Sequence, residues 1–391
     1  MKKTLKTVYA LVLLSSVLGP AVKLPVSPYP LNIYLSDIAV SLLIIILLVD
    51  IKSVFPVIKN DRILKIVLIF SSFLFFTLLI SPIKLNLYEL LISSLYTVRF
   101  LFYFSIYVCT VYLIKSDKKA KTGIEKILNG AGLAFLVLGW LQYFLYPDLR
   151  NLFYLGWDPH YKRIFALIFD PNYLGLFLIY FIFLRLISFK NNPHNIFIIP
   201  VTLLTVAFTY SRSTYLTLFI ASLYLFRKVN KLFPFLSVSV IFIILLIFLP
   251  RQGGASVQLE RIFSISQRLD NWRSAGILIK RYPLFGVGFN TLRFARKQFP
   301  TLDQNWLTSH SAAGVDNSFL FITATSGLVG LTLFLYYLIV LYSKLNLLGR
   351  TVIVATVVHS MFLNSLFFSF LLIWLWSVCA LSPVNNFKGN N

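Results

Sequence analysis

The chain has 391 residues, 58% of them hydrophobic and 13% charged, with a mean hydropathy of +0.81. A soluble domain carries about 25% charged residues, so this composition excludes water as the main solvent and points to an integral membrane protein. The net charge of +23 would suggest nucleic acid in a soluble protein; here loops biased to Lys and Arg on the cytoplasmic side explain much of it, and no nucleic acid partner is expected.

The start, Met1-Lys2-Lys3 followed by apolar residues, imitates a signal peptide. No small-x-small cleavage site follows Ser15-Ser16 and many spans come after, so the segment reads as a retained first helix. A crossing needs about 20 apolar residues. Length and loop charge together predict about twelve spans, with cores at 8–22, 33–50, 63–80, 90–114, 127–146, 170–189, 195–209, 213–226, 232–249, 317–342, 351–363 and 366–382. The fold class expected is all-α and polytopic, a single membrane domain over residues 1–391. The seventh and eighth spans are short and flank Ser211-Arg212-Ser213.

Loop charge sets the orientation. Lys52, Lys59, Arg62 and Lys65, then Lys115, Lys118, Lys119, Lys121 and Lys126, then Arg185/Lys190, Arg227/Lys228/Lys231 and Lys344/Arg350 all fall in alternate loops. With Lys2, Lys3 and Lys6 they assign that side, and both termini, to the cytoplasm. The remaining loops face outward, among them the large loop 251–316. That loop is basic on the side where the charge bias does not put cations. Within it, 257–280 has the spacing of an amphipathic helix: Ile262, Ile265, Leu269, Trp272, Gly276 and Ile279 form an apolar stripe suited to a membrane surface. Pro283 and the glycines of Pro283-Leu284-Phe285-Gly286-Val287-Gly288-Phe289 end it in a tight turn.

Cys109 and Cys379 lie in apolar runs, and His160, His194, His310 and His359 are scattered. They offer neither a disulfide framework nor a metal-binding pair, so no cofactor or metal is expected.

Several short motifs follow one another in the second half. Arg163 precedes Phe169-Asp170-Pro171-Asn172; Ser211-Arg212-Ser213 comes next; then Arg268-x-x-x-Trp272, Tyr282 to Phe289, and Asp316-Asn317 ahead of Gly327-x-x-Gly330. In this order and spacing, residues 163–330 resemble the O-antigen ligase/polymerase superfamily. The resemblance implies a GT-C-type membrane glycosyltransferase acting on glycans linked to undecaprenyl diphosphate, with an acceptor glycan or glycolipid as second substrate and membrane lipids and polysaccharide-assembly proteins as further partners. It also implies an inner-membrane enzyme of cell-envelope polysaccharide, such as lipopolysaccharide. Where ligases of the family carry His-Asn, with the His as base, this chain has Asp316-Asn317. That departure favours an O-antigen polymerase over a ligase.

The chemistry asks for few groups. A lipid-diphosphate sugar is already activated, so the enzyme must hold the diphosphate, align the acceptor hydroxyl and remove its proton. Guanidinium groups suit phosphate oxygens, so Arg163, Arg212 and Arg268 are the diphosphate candidates, with Arg268 also a catalytic one. Asp316 is the candidate base, its pKa raised by partial burial. His310, Asn317 and Asn172 are secondary candidates. Each has a plain alternative. Asp316 can cap the tenth span, Arg268 can pair with Asp270 or lipid phosphate, and Arg212 can anchor a helix end. Asp170-Pro171-Asn172 reads as a helix start, and the cations Arg261, Arg273, Lys280 and Arg281 as surface charges. A transporter or flippase of polysaccharide precursors is the rival from another class, although the charges crowd the outer side and no paired halves are visible. A structural partner in an export complex is a third reading.

Overall fold

The computed structural model describes residues 2–26, 31–117, 119–155, 157–187, 193–250, 263–298 and 314–384. In chain order the helices are α1 (Lys2–Leu18), α2 (Leu35–Val49), α3 (Ile51–Ile58), α4 (Arg62–Leu79), α5 (Leu87–Ser116), α6 (Ala120–Leu145), α7 (Pro171–Ile187), α8 (Asn195–Ala207), α9 (Arg212–Lys228), α10 (Leu232–Ile247), α11 (Phe263–Arg281), α12 (Leu292–Gln298), α13 (Ser318–Ser343), α14 (Leu347–Ser360) and α15 (Ser369–Leu381). Their starts follow local chemistry. Asp61 accepts from the N–H groups of Ile63 and Leu64, Asn86 and Glu89 form a reciprocal capping box, and Ser211 accepts from Thr214 N–H. The departure from all-α is a small hairpin of β1 (Lys23–Val26) and β2 (Leu31–Tyr34), antiparallel, with Lys23 opposite Tyr34 and Val26 opposite Leu31.

Each of the twelve expected spans contains a helix. By length and composition, however, five helices among the described residues are able to cross a membrane, or six if α2 and α3, bent by 93° at Asp50, form one broken span. Among the described residues five further helices, α7, α8, α10, α14 and α15, are apolar but shorter, and two of them, α7 and α15, are enclosed by the rest. All 13 residues of α15 are buried, as are Leu174 to Arg185 of α7. A helix of 13 residues rises about 20 Å, less than the ~30 Å of a hydrocarbon core. Enclosed helices need not reach both surfaces, because their neighbours shield them. Around this pair, α14 packs against α7 and α9, α15 runs along α5, and α13 lies on α4. Hydrogen bonds between buried side chains tie α1 to α15, where apolar surroundings make an unpaired polar group costly: Tyr9 donates to Ser377 Oγ at 2.7 Å and Trp374 Nε1 to Ser16 Oγ at 3.0 Å.

The connections gather at two ends. At one, Lys6 meets Asp117 at 2.5 Å, Lys115 donates to Val57 O, and Val384 N–H donates to Lys344 O, so both ends of the described chain lie together. At the other, Ser81 donates to Val287 O, Arg163 to Thr209 O, and Asn317 to Met361 O.

Candidate active site

The segment after α11 is fixed by a break in α13. Gly327 has φ +68° and ψ −171° inside that helix, a backbone region open essentially to glycine alone. The interruption exposes main-chain groups, and the Pro283–Gly288 segment takes them. Leu328 N–H donates to Pro283 O and Val329 N–H to Leu284 O, while Val287 and Gly288 N–H donate to the carbonyls of Ala324 and Thr325. A Cβ on Gly327 would stand 2.0 Å from Leu284 O, and one on Gly286 2.4 Å from Thr325 C. The two segments approach backbone to backbone, which welds α11 to α13.

That junction sets how α11 lies. Ala275 and Leu278 are fully buried and the helix packs on α13. One face of α11 therefore turns inward, while Leu269, of the expected stripe, is 44% exposed and Ile262 lies outside the described residues. Two of its residues grip the chain ahead of α13. Asn271 Oδ1 accepts from Asp316 N–H at 3.0 Å, and Trp272 Nε1 donates to Asp316 O at 3.2 Å. The helix cap is Asn317, whose Oδ1 accepts from Phe319 and Leu320 N–H at 2.8 and 3.0 Å while its Nδ2 donates to Met361 O. Asn317 is thus fully used in structure, and the capping alternative for Asp316 falls away. The Asp316 carboxylate is left exposed to water at the mouth of α13.

Arg268 lies one turn before Asn271 and Trp272, on the same face of α11. Its charge acts on Asp316, Asp158, Arg212 and His359. Asp270 pairs with Arg273 at 3.1 Å, not with Arg268. Burial among protein atoms raises the Asp316 pKa first of all; Asp170 adds to the rise, and Arg268 and Arg296 oppose it. Asp158 is raised in the same way, by desolvation and then by the charge of Asp316, against Arg163 and Arg268. Both carboxylates have exposed surface, yet desolvation dominates both. A recess open to water but walled by protein reconciles the two observations.

The upstream motifs form the opposite wall. Asp170 Oδ1 accepts from Asn172 and Tyr173 N–H at 2.7 and 3.3 Å and so starts α7. Asn172 Oδ1 accepts from Ser211 Oγ at 2.6 Å, its Nδ2 donates to Asp170, and Thr214 Oγ1 donates to Ser211. Asn172 therefore ties the start of α7 to the start of α9, where Arg212 sits, and its amide is spent on that joint. Arg163 is 3% exposed; Nε donates to Thr209 O at 2.7 Å and Nη2 to Tyr210 O at 3.3 Å. Its fork is turned to main-chain carbonyls, clamping the 157–163 segment to the end of α8. Arg212 is half-buried, and desolvation followed by the charge of Arg268 holds its pKa below the usual value. Two guanidinium groups thus act on one another in the same recess, an arrangement that an anion between them would relieve.

Arg212, Arg268 and Asp316 come together; Arg163 and Asn172 stand behind them as supports, and His310 lies outside the described residues. Asp158 was not singled out by sequence reasoning. Its only signal was an acidic residue in a loop, five positions ahead of Arg163. Buried His359, whose Nδ1 is 2.7 Å from Ser365 Oγ, and buried Arg296 on α12, which donates to Ser274, were also missed. Among the described residues no group of three or more His, Cys, Asp or Glu is arranged to hold a metal ion.

Residues 196–335, about a third of the chain, match the family model described as O-antigen ligase. The matched stretch holds Arg212, Arg268, Asp316 and the break at Gly327, and it leaves Arg163 and Asn172 outside. No curated protein matches the chain significantly.

Proposed function

We propose that this multi-pass membrane protein, a member of the O-antigen ligase/polymerase superfamily over its matched residues, transfers a glycan from undecaprenyl diphosphate to a hydroxyl of an acceptor glycan. The observation that carries the reading is the meeting of Arg268, Arg212 and Asp316 in one recess at the mouth of α13. Arg212 and Arg268 hold the diphosphate with paired N–H donors. The acceptor oxygen attacks the anomeric carbon from the face opposite the diphosphate. Its C–O bond forms as the sugar–phosphate bond breaks, and undecaprenyl diphosphate departs with the electron pair. Asp316 takes the hydroxyl proton, and its raised pKa suits a base that must also release that proton. Asp158 faces the same charges from the opposite wall, where it orders the acceptor. No metal enters the step. Arg163 serves by position, holding the loop that carries Asp158.

The chain crosses the inner membrane about twelve times in a GT-C-type arrangement, with its termini in the cytoplasm and the recess on the outer face; the loop-charge bias supports this orientation. The acceptor is the growing polysaccharide, because Asp stands where ligases of the family carry His. The match to a family model described as O-antigen ligase favours a second reading, attachment of finished polymer to a lipid core or a protein.

The test is turnover by the purified full chain with an undecaprenyl-diphosphate-linked glycan and no ion gradient. Transfer is expected, and Asp316→Asn should lower it by about 10²–10⁴-fold. Full synthesis by that variant at normal protein level removes the base role. Precursor movement without glycan transfer replaces the enzyme reading with transport. Gene deletion separates the two acceptors: single repeat units on the final acceptor mean polymerase, and long polymer left on the lipid carrier means ligase.

A further inference from the structure

At the end of the molecule away from the recess, a hollow of about 230 Å³ lies between α4 and α13. Arg62 and Lys65 line it from the start of α4 and Lys344 from the end of α13, with Ile66, Ile69 and Tyr336 extending along the helices. None of the three cations makes an ion pair with a carboxylate among the described residues. The nearest acid in sequence, Asp61, is already engaged: Oδ1 accepts from Ile63 and Leu64 N–H and Oδ2 from Tyr107 OH at 2.9 Å. The positive end of the α4 dipole adds to the same potential. Below the cations the surface is apolar and open, with Ile69 and Tyr336 each 55% exposed.

We propose that this hollow binds one anionic phospholipid, its phosphate among Arg62, Lys65 and Lys344 and an acyl chain along Ile69 and Tyr336. Charge complementarity selects the occupant. Three converging cations without a carboxylate call for an anion, and an apolar wall running on from them along the helices calls for one that carries a hydrocarbon tail. This end holds the Lys- and Arg-rich loops, where basic pockets between membrane helices meet acidic headgroups. A lipid seated there bridges α4 to α13, the helix whose opposite end presents Asp316, and nothing in the proposal depends on the reaction at that end.

The experiment measures lipid retention by native mass spectrometry and thermal stabilisation of the full chain in neutral detergent. Phosphatidylglycerol is compared with phosphatidylcholine and with inorganic phosphate. The variant Arg62→Gln/Lys65→Gln/Lys344→Gln is set against Lys52→Gln/Lys59→Gln/Lys121→Gln, which removes the same charge from exposed positions at the same end. The expected result is that phosphatidylglycerol alone binds and stabilises. Its affinity should fall at least about tenfold in the first variant and stay within about twofold in the second. Equal losses in both variants would show only diffuse surface charge and overturn the site. Equal stabilisation by inorganic phosphate or by phosphatidylcholine would overturn the anionic lipid as occupant. Should the triple variant not accumulate, Lys344→Gln alone is expected to weaken binding about fivefold, and unchanged binding by it counts against the site.

Discussion

Asn271 accepts the main-chain N–H of Asp316 at 3.0 Å, across 45 residues of sequence. One turn of α11 therefore fixes where the Asp316 carboxylate starts from, and Arg268 on the same face of the helix is fixed with it. A net hydrogen bond of this kind contributes about 1 kcal/mol, but small misplacements of a reacting group weigh more on rate than on stability. Asn271→Leu is expected to lower kcat by roughly tenfold to a hundredfold with KM changed less than threefold. Steady-state kinetics at matched protein level checks this, and a change confined to KM would assign Asn271 to substrate binding.

The raised pKa of Asp316 gives opposite pH dependences to activity and stability. As a base it must be ionised, so the rate is expected to fall on the acidic side from a pH above the usual Asp value of about 3.9. Stability moves the other way. With the folded pKa above the unfolded one, the native state binds more protons between the two values. This group's contribution therefore grows as pH falls through that window and is lost as pH rises through the folded pKa. Asp316→Asn should abolish the acidic limb and flatten that part of the melting-temperature profile. Arg268→Gln removes a charge that lowers the Asp316 pKa, so any residual activity should show its acidic limb at higher pH.

Arg268 and Arg163 should respond differently to the same change. Arg268→Lys keeps the charge and loses the paired donors; a rate loss of about tenfold to a hundredfold is expected with normal protein level. Arg163 spends Nε and Nη2 on the carbonyls of Thr209 and Tyr210 while 3% exposed. Arg163→Lys should lower the melting temperature and the amount of folded protein, at a cost of roughly 1–3 kcal/mol. Quantitative membrane blots alongside turnover distinguish the two outcomes.

Helices were legible because apolar runs are local signals; the run 90–114 marks α5, whose start the Asn86–Glu89 capping box fixes. The start of α13 was ambiguous for a physical reason. Asp316 and Asn317 are both good caps, and only the hydrogen bonds show that Asn317 does the capping. The role of Arg163 was hidden because a fork that suits phosphate also suits two carbonyls. Asp158 joins the recess through tertiary packing, with no motif to mark it. The packing of α11 on α13 was not legible because apolar spacing fits a membrane and a neighbouring helix equally well. What turns α11 inward is the weld at Gly327, a contact between segments some 40 residues apart.

That weld is the last point open to direct test. Gly327 holds φ +68°, and a Cβ there would meet Leu284 O at 2.0 Å with main chain, not a yielding side chain, in the way. Gly327→Ala therefore adds backbone strain to a clash that only movement of the 283–288 segment can relieve. A loss of roughly 3 kcal/mol is expected, read as a lower melting temperature and faster proteolysis after α11. Gly276 is the comparison, since it stands within helix α11 and a Cβ there meets nothing within 4 Å. Gly276→Ala should cost less than half as much. Equal losses at the two positions would mean that helix packing, and not the backbone junction, holds α11 against α13.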